Sequence, residues 1–266
     1  MSRVVGRHLR LWRQAFVQAV TRDLQFRAQA VTTMVTSVLD LGLSLIPVLV
    51  LVGFGGTRAG WSPSLAVAVV GAYGIGASLI DCFVAPNLQR MDAYIREGEL
   101  DLVLIRPVSA PLYTALRWIR PAELSGVFTG LVLLVAGLVV SDASVTVLGV
   151  LAGLAWLLVG VLAFSLFWAN LSYLAFWMSG SDPVSDVASM LREAGQYPLT
   201  YFPRAARIVF ATVIPAGLMG TVPVQAVTGS AIGWWLPVAC AAVVLACFIT
   251  FGHWRIALRQ YASASS

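Results

Sequence analysis

No lysine occurs among the 266 residues, and that absence removes a whole class of chemistry. A phosphate-binding loop of the G-x-x-x-x-G-K-[ST] type needs a lysine to reach nucleotide phosphates, so the chain cannot hydrolyse ATP by that route. Charge of either sign is scarce: 11% of residues are charged, 59% are hydrophobic and the mean hydropathy is +0.86. An average soluble domain carries about 25% charge, so this composition belongs in a bilayer. Histidine is nearly absent, with His8 and His253 the only two, both near expected cytoplasmic helix ends. An intramembrane serine protease would lack a well-placed base and a metalloprotease its paired ligands. Cys82, Cys240 and Cys247 fall in apolar stretches with no C-x-x-C or Cys/His cluster, so they read as small hydrophobes and no metal site is expected. The amino-terminal segment has no uninterrupted apolar core of signal-peptide kind, and no cleavage is expected. The chain is not expected to be an enzyme, to hold a cofactor or to bind nucleic acid.

What is present is a set of long apolar runs. Six could cross about 30 Å of hydrocarbon as helices: 29–53, 64–86, 121–140, 145–169, 207–227 and 234–254. Only Ser141-Asp142-Ala143-Ser144 separates the third from the fourth, which predicts a tight antiparallel hairpin. All seventeen basic residues are arginine, and with the amino terminus inside only Arg58 lies outside. Arginine-rich short loops stay in the cytoplasm, so both termini are expected there. The predicted fold is all-α and polytopic, a single membrane domain over 1–266. An amino-terminal segment covers 1–28, cytoplasmic loops cover 87–120 and 178–206, and the last two spans occupy 207–254.

Before the first span, Val5, Leu9, Trp12, Phe16, Val20 and Leu24 recur at spacings of three and four. This predicts an amphipathic helix on the membrane, with Arg7, Arg10 and Arg13 at anionic headgroups while Trp12 and Phe16 sink into the acyl boundary. Simple anchoring and a role in force transmission are both open. Segment 178–206 reads as a cytoplasmic helix starting near Pro183 and a return stiffened by Pro198 and Pro203. The stretch 207–227 is interrupted by Pro215, Gly217, Gly220 and Pro223, which leaves open a broken or re-entrant segment and a kinked span.

Ionisable groups inside spans are costly and hence candidates for function: Asp40, Asp81 and Glu123, with pairing to an arginine near a cytoplasmic boundary the favoured alternative to a proton-carrying role. Asp40 is expected to be deeply buried at mid-span. Asp81 lies toward the cytoplasmic end of the second span, and Glu123 falls in the first turn after Pro121, where a helix dipole favours a carboxylate. The densest charge lies between spans. From Arg96 to Pro107, three carboxylates and two guanidiniums share twelve positions. Gly98 breaks one helix and Arg106-Pro107 closes the next, so a short helical knob is expected, with Glu99 and Asp101 alternating with Leu100 and Leu102. Apolar and anionic groups together suit a partner groove; a solvated helix with internal ion pairs is the alternative.

At these residues the chain resembles a known group. The run Arg96-Glu97-Gly98-Glu99-Leu100-Asp101 with Leu104, Arg106, Pro107 and Ser109 resembles the loop signature of ABC type-2 exporter permeases. Gly195-Gln196-Tyr197-Pro198 with Tyr201 and Pro203, Ile214-Pro215, and Ala257 to Ser263 are similar to those of the small six-span members that pair with separate ATPases. The resemblance covers nearly the whole chain. It implies a permease half whose loop at about 88–107 is a coupling helix on a nucleotide-binding subunit, with Arg96, Gly98, Glu99, Leu100, Asp101, Arg106 and Pro107 as the coupling residues. Two permeases, sister or identical, and two ATPases carrying ATP and Mg would make an exporter in a bacterial inner membrane, surrounded by lipid. A proton-coupled carrier using Asp40 or Asp81, and a scaffold that merely tethers an ATPase, are the competing readings.

Overall fold

The computed structural model describes residues 2–55, 61–105, 109–178, 182–229 and 236–261, and all regular structure among them is helical. α1 (Ser2–Gln25) turns at Phe26 into α2 (Arg27–Gly55). α3 (Pro63–Phe83) starts where Pro63 follows an extended Ser62, whose hydroxyl accepts from the Leu65 amide at 3.2 Å. A 3-10 turn, Pro121–Glu123, opens α8 (Leu124–Val140), and α9 (Val147–Ser172) is capped by Thr146 accepting from the Gly149 amide at 3.0 Å. Between α8 and α9 the chain reverses through Asp142 at φ 52, but the two helices do not pack as the expected tight hairpin: α8 lies against α3, and α9 against the helices over 217–227 and 236–260. α13 (Leu236–Gln260) is the last long helix. Among the described residues five helices are long and apolar enough to span a membrane, in agreement with five of the six expected stretches.

The bundle is built on α3, which is buried along most of its length. Lipid gives helices no hydrophobic reason to associate, so close backbone packing must hold them. Gly71 and Gly130 meet face to face: a Cβ on Gly71 would come 2.6 Å from the Gly130 carbonyl, and one on Gly130 would come 2.7 Å from that of Gly71. Gly137 likewise lies against Ala68 and Ser64. α2 packs through Leu41 and Val48 onto Ala66 and Val70, and most of its remaining surface is open.

The fifth crossing departs from expectation. α10 (Asp182–Glu193) begins near the end of the bundle that carries α1, here the charged end. Its partner residues then move steadily along α3: Arg192 bonds Asp81, Gly195 lies against Tyr73, and Tyr201 packs with Val69 and Trp61. From Asp81 to Val69 is roughly 18 Å of helix at 1.5 Å per residue. Segment 178–206 is therefore not wholly outside the bundle as its charges and prolines suggested; its second half inserts. Gly195 allows this, since a Cβ there would come 2.4 Å from the Ala216 carbonyl. The irregular backbone is satisfied internally, with the Leu199 amide donating to Thr221 at 3.0 Å.

α11 (Arg204–Thr212) and α12 (Gly217–Val227) follow, bent 95° apart around Pro215. The start of α12 packs on Gly160 in the middle of α9 and its end on Gly149 near the start of α9. Because Tyr201 has already reached the far end, the pair dips inward and returns, a re-entrant elbow rather than a kinked span.

Candidate functional site

The charged island folds into a base and a knob. α4 (Ala85–Leu88) and α5 (Met91–Arg96) lead to Gly98, whose φ of 71 lies in the left-handed region that favours glycine. α6 (Glu99–Leu104) is the knob and α7 (Ala110–Leu116) carries the chain back toward α8. Leu100 and Val103 are fully buried, in one cluster with Tyr94, Trp168, Tyr173 and Trp254. Leu102, Leu104 and Ile105 face outward, Ile105 at 79% exposure. Leu100 was expected at the partner surface together with Leu102; two residues apart on a helix they point some 200° apart. Leu100 roots the knob, and the exposed ridge is Leu102 with Ile105.

A polar and aromatic platform fixes the base. Asn87, fully buried, donates to the carbonyls of Phe83 and Trp118, both at 2.8 Å, and accepts from the Trp118 amide at 2.7 Å. Trp118 Nε1 donates to Tyr94 at 2.8 Å, while the guanidiniums of Arg90 and Arg117 lie over its ring at 4.5 and 4.9 Å. Arg117 reaches Glu99 at 3.5 Å, and Arg96 pairs with Asp92 within α5. Tyr261 lies beside Asp101; burial, with that carboxylate, pushes its phenol above the ordinary tyrosine value. Arg106 and Pro107 lie outside the described residues.

α1 is clamped to this base. Arg22 donates to the Ile119 carbonyl at 2.8 Å, and Asp23 accepts from the Ala122 amide at 3.2 Å. Trp12, expected in the acyl boundary, has its ring 5.8 Å from Phe83 and 6.2 Å from Phe16, so both rings rest at least partly on protein. Arg13 is exposed; the side chains of Arg7 and Arg10 lie outside the described residues, although their backbone belongs to α1.

Deeper in, the three intramembrane acids come together. A cleft of about 530 Å³ between α2, α3, α10 and the turn that opens α8 is lined by Asp40, Asp81, Glu123 and Glu193, with Arg192 the one basic lining residue among the described residues. Arg192 donates to Asp81 at 2.7 Å, and Ser37 donates to Glu123 at 2.6 Å. Asp40 is exposed at the cleft rather than deeply buried, because Leu41 beside it occupies the stripe that faces α3. A second chamber of about 640 Å³ lies toward α1, lined by Arg22, Arg90 and Arg120 among others, and Glu123 lines both. Sequence reasoning missed Arg192 because it placed that residue in a cytoplasmic helix. Asn87 and Trp118 gave no signal, being thirty-one positions apart.

A polytopic α-helical membrane protein with a charged, rooted knob at one end and polar chambers beside its spans is the class that this geometry defines. The family model described as "ABC-2 family transporter protein" matches residues 38–265, and the chain belongs to that family. It is a membrane permease of an ABC transporter and not itself an ATPase. Searches of curated proteins and of solved structures give no match.

Proposed function

We propose that the chain is one permease half of an ATP-driven exporter, seated through its knob on a separate nucleotide-binding subunit. The observation that carries this is the division of α6: one face locked into the bundle core, the other offering Leu102 and Ile105 to a groove. A solvated loop helix would have no reason to spend its apolar residues outward. Two permeases, identical or sister, with two ATPases complete the assembly. ATP and Mg bind on the partners, the charged end and both termini face the cytoplasm, and the host membrane is a bacterial inner membrane bathing the spans in lipid. Closure of the ATPases pushes the knob. Its root shares a core with α9 and α13, and α1 grips the same base, so the push enters several spans together. Arg96, Glu99 and Asp101 flank the ridge and set its register, Gly98 permits the turn, and Arg106 and Pro107, next in the sequence, are assigned to the same contact.

The test is to tag the whole chain, extract it gently from its native membrane and identify co-purifying proteins, with and without Ile105→Glu. An ATPase present with the parent and lost from the variant, at unchanged permease yield, is expected. No ATPase in either sample overturns the reading and favours the proton-coupled carrier, for which Asp40 is the better candidate because Asp81 already holds Arg192.

A further inference from the structure

We propose that the cleft between α2, α3, α10 and the turn that opens α8 binds the transported molecule and that this molecule is a cationic amphiphile, an apolar body bearing a protonated amine. The inference rests on the permease reading above and names its substrate class.

Charge comes first. Among the described residues four carboxylates and one guanidinium line the cleft, and the guanidinium is engaged by Asp81, so Asp40, Glu123 and Glu193 leave a net negative charge in a pocket bordered by hydrocarbon. Carboxylates at such a place are costly unless a cation accompanies them. Chain economy does not explain it: seventeen arginines were available, and one was placed here.

A second observation is independent of charge. Gln196 lines the same cleft at 8% exposure, yet its side-chain amide makes no hydrogen bond among the described residues. The amide is thus open to the cleft and free to bond a polar guest there. The remaining walls supply the apolar half of the recognition, with Leu41, Tyr73, Gly74 and Ala77 beside the acids. A volume of about 530 Å³ falls in the range that holds a drug-sized molecule.

Access follows from Asp40. It is exposed on α2 between Leu39 and Leu43, both of them exposed apolar residues, so the rim opens toward the lipid beside that helix. An amine anchored among lipids could slide its charge onto Asp40 and then Glu193 while its tail stays in hydrocarbon, which a sugar or a phosphate-bearing molecule could not do.

The test uses the full chain in nanodiscs of phosphatidylcholine, with dansylcadaverine as a fluorescent amine and its N-acetylated, uncharged counterpart as control. Saturable binding of the amine, at least tenfold tighter than the acetylated probe, is expected. Asp40→Asn with Glu193→Gln should weaken it tenfold or more while leaving the weak binding of the control unchanged; neither side chain makes an ion pair among the described residues, so both substitutions spare the fold, and the melting temperature checks this. Equal binding of the two probes, or amine binding indifferent to the double substitution, overturns the proposal. Because binding needs no ATPase, the two readings fail separately: an ATPase that co-purifies without amine binding sinks only the substrate class, and amine binding without any ATPase sinks only the coupling.

Discussion

Asp81→Asn should be among the most damaging conservative substitutions in the molecule. It removes one charge and almost no volume, but it strands Arg192, whose side chain is 13% exposed. At an effective dielectric of about 20, charges about 4 Å apart attract by about 4 kcal/mol, most of which offsets the desolvation of the pair. Removing one partner exposes that cost, typically about 3–5 kcal/mol for a buried pair. Asp81 is 30% exposed, so the discounted expectation is about 2–4 kcal/mol. The converse change is milder. Arg192→Met leaves a carboxylate that can take up a proton, whereas the guanidinium cannot shed one, so about 1–2 kcal/mol is expected. In the double variant neither group is stranded, and the total loss should fall short of the sum by more than about 1 kcal/mol. Equilibrium unfolding in mixed micelles of dodecylmaltoside and SDS, followed by tryptophan fluorescence, measures all four proteins. Losses that add within about 0.5 kcal/mol would refute the reasoning, since coupled charges cannot behave as independent sites.

Three further substitutions test other parts. Gly130→Ala should lower stability by about 1–2 kcal/mol despite alanine's better helix propensity, because its Cβ would meet the Gly71 carbonyl at 2.7 Å and the Ile75 amide nitrogen at 2.8 Å. Gly42→Ala, with nothing within 4 Å, should gain up to about 1 kcal/mol, and thermal scans of the two should move in opposite directions. Gly98→Ala forces an L side chain to the left-handed φ of 71 at a cost of about 1–2 kcal/mol, so hydrogen exchange should quicken across 91–104 while the spans keep their protection.

The spans were legible because a run of apolar residues long enough to cross a bilayer has few other uses, and the knob because Gly98 punctuates its helices so plainly. Packing was not. Gly126 and Gly130 stand at the spacing of close helix contact, but spacing names no partner, and only the fold brings Gly71 opposite. Arg192 and its prolines made 178–206 look too polar to insert; what overrules that reading is a carboxylate 111 positions away. Leu100 and Leu102 are chemically alike, and six residues of helix do not say which one faces the bundle. Asp40 was misjudged for a related reason: depth along a span and burial by protein are different quantities, and hydropathy reports only the first.

Glu123 stands in the wall between two chambers of about 640 and 530 Å³, held by a single hydroxyl from Ser37. That hydroxyl belongs to α2, which much of its surface leaves unattached to the bundle. A sideways slip of α2 would break that bond and free the carboxylate at the boundary that the two chambers share. The least buried of the spans is thus the one whose hydroxyl fixes the acid between the two chambers.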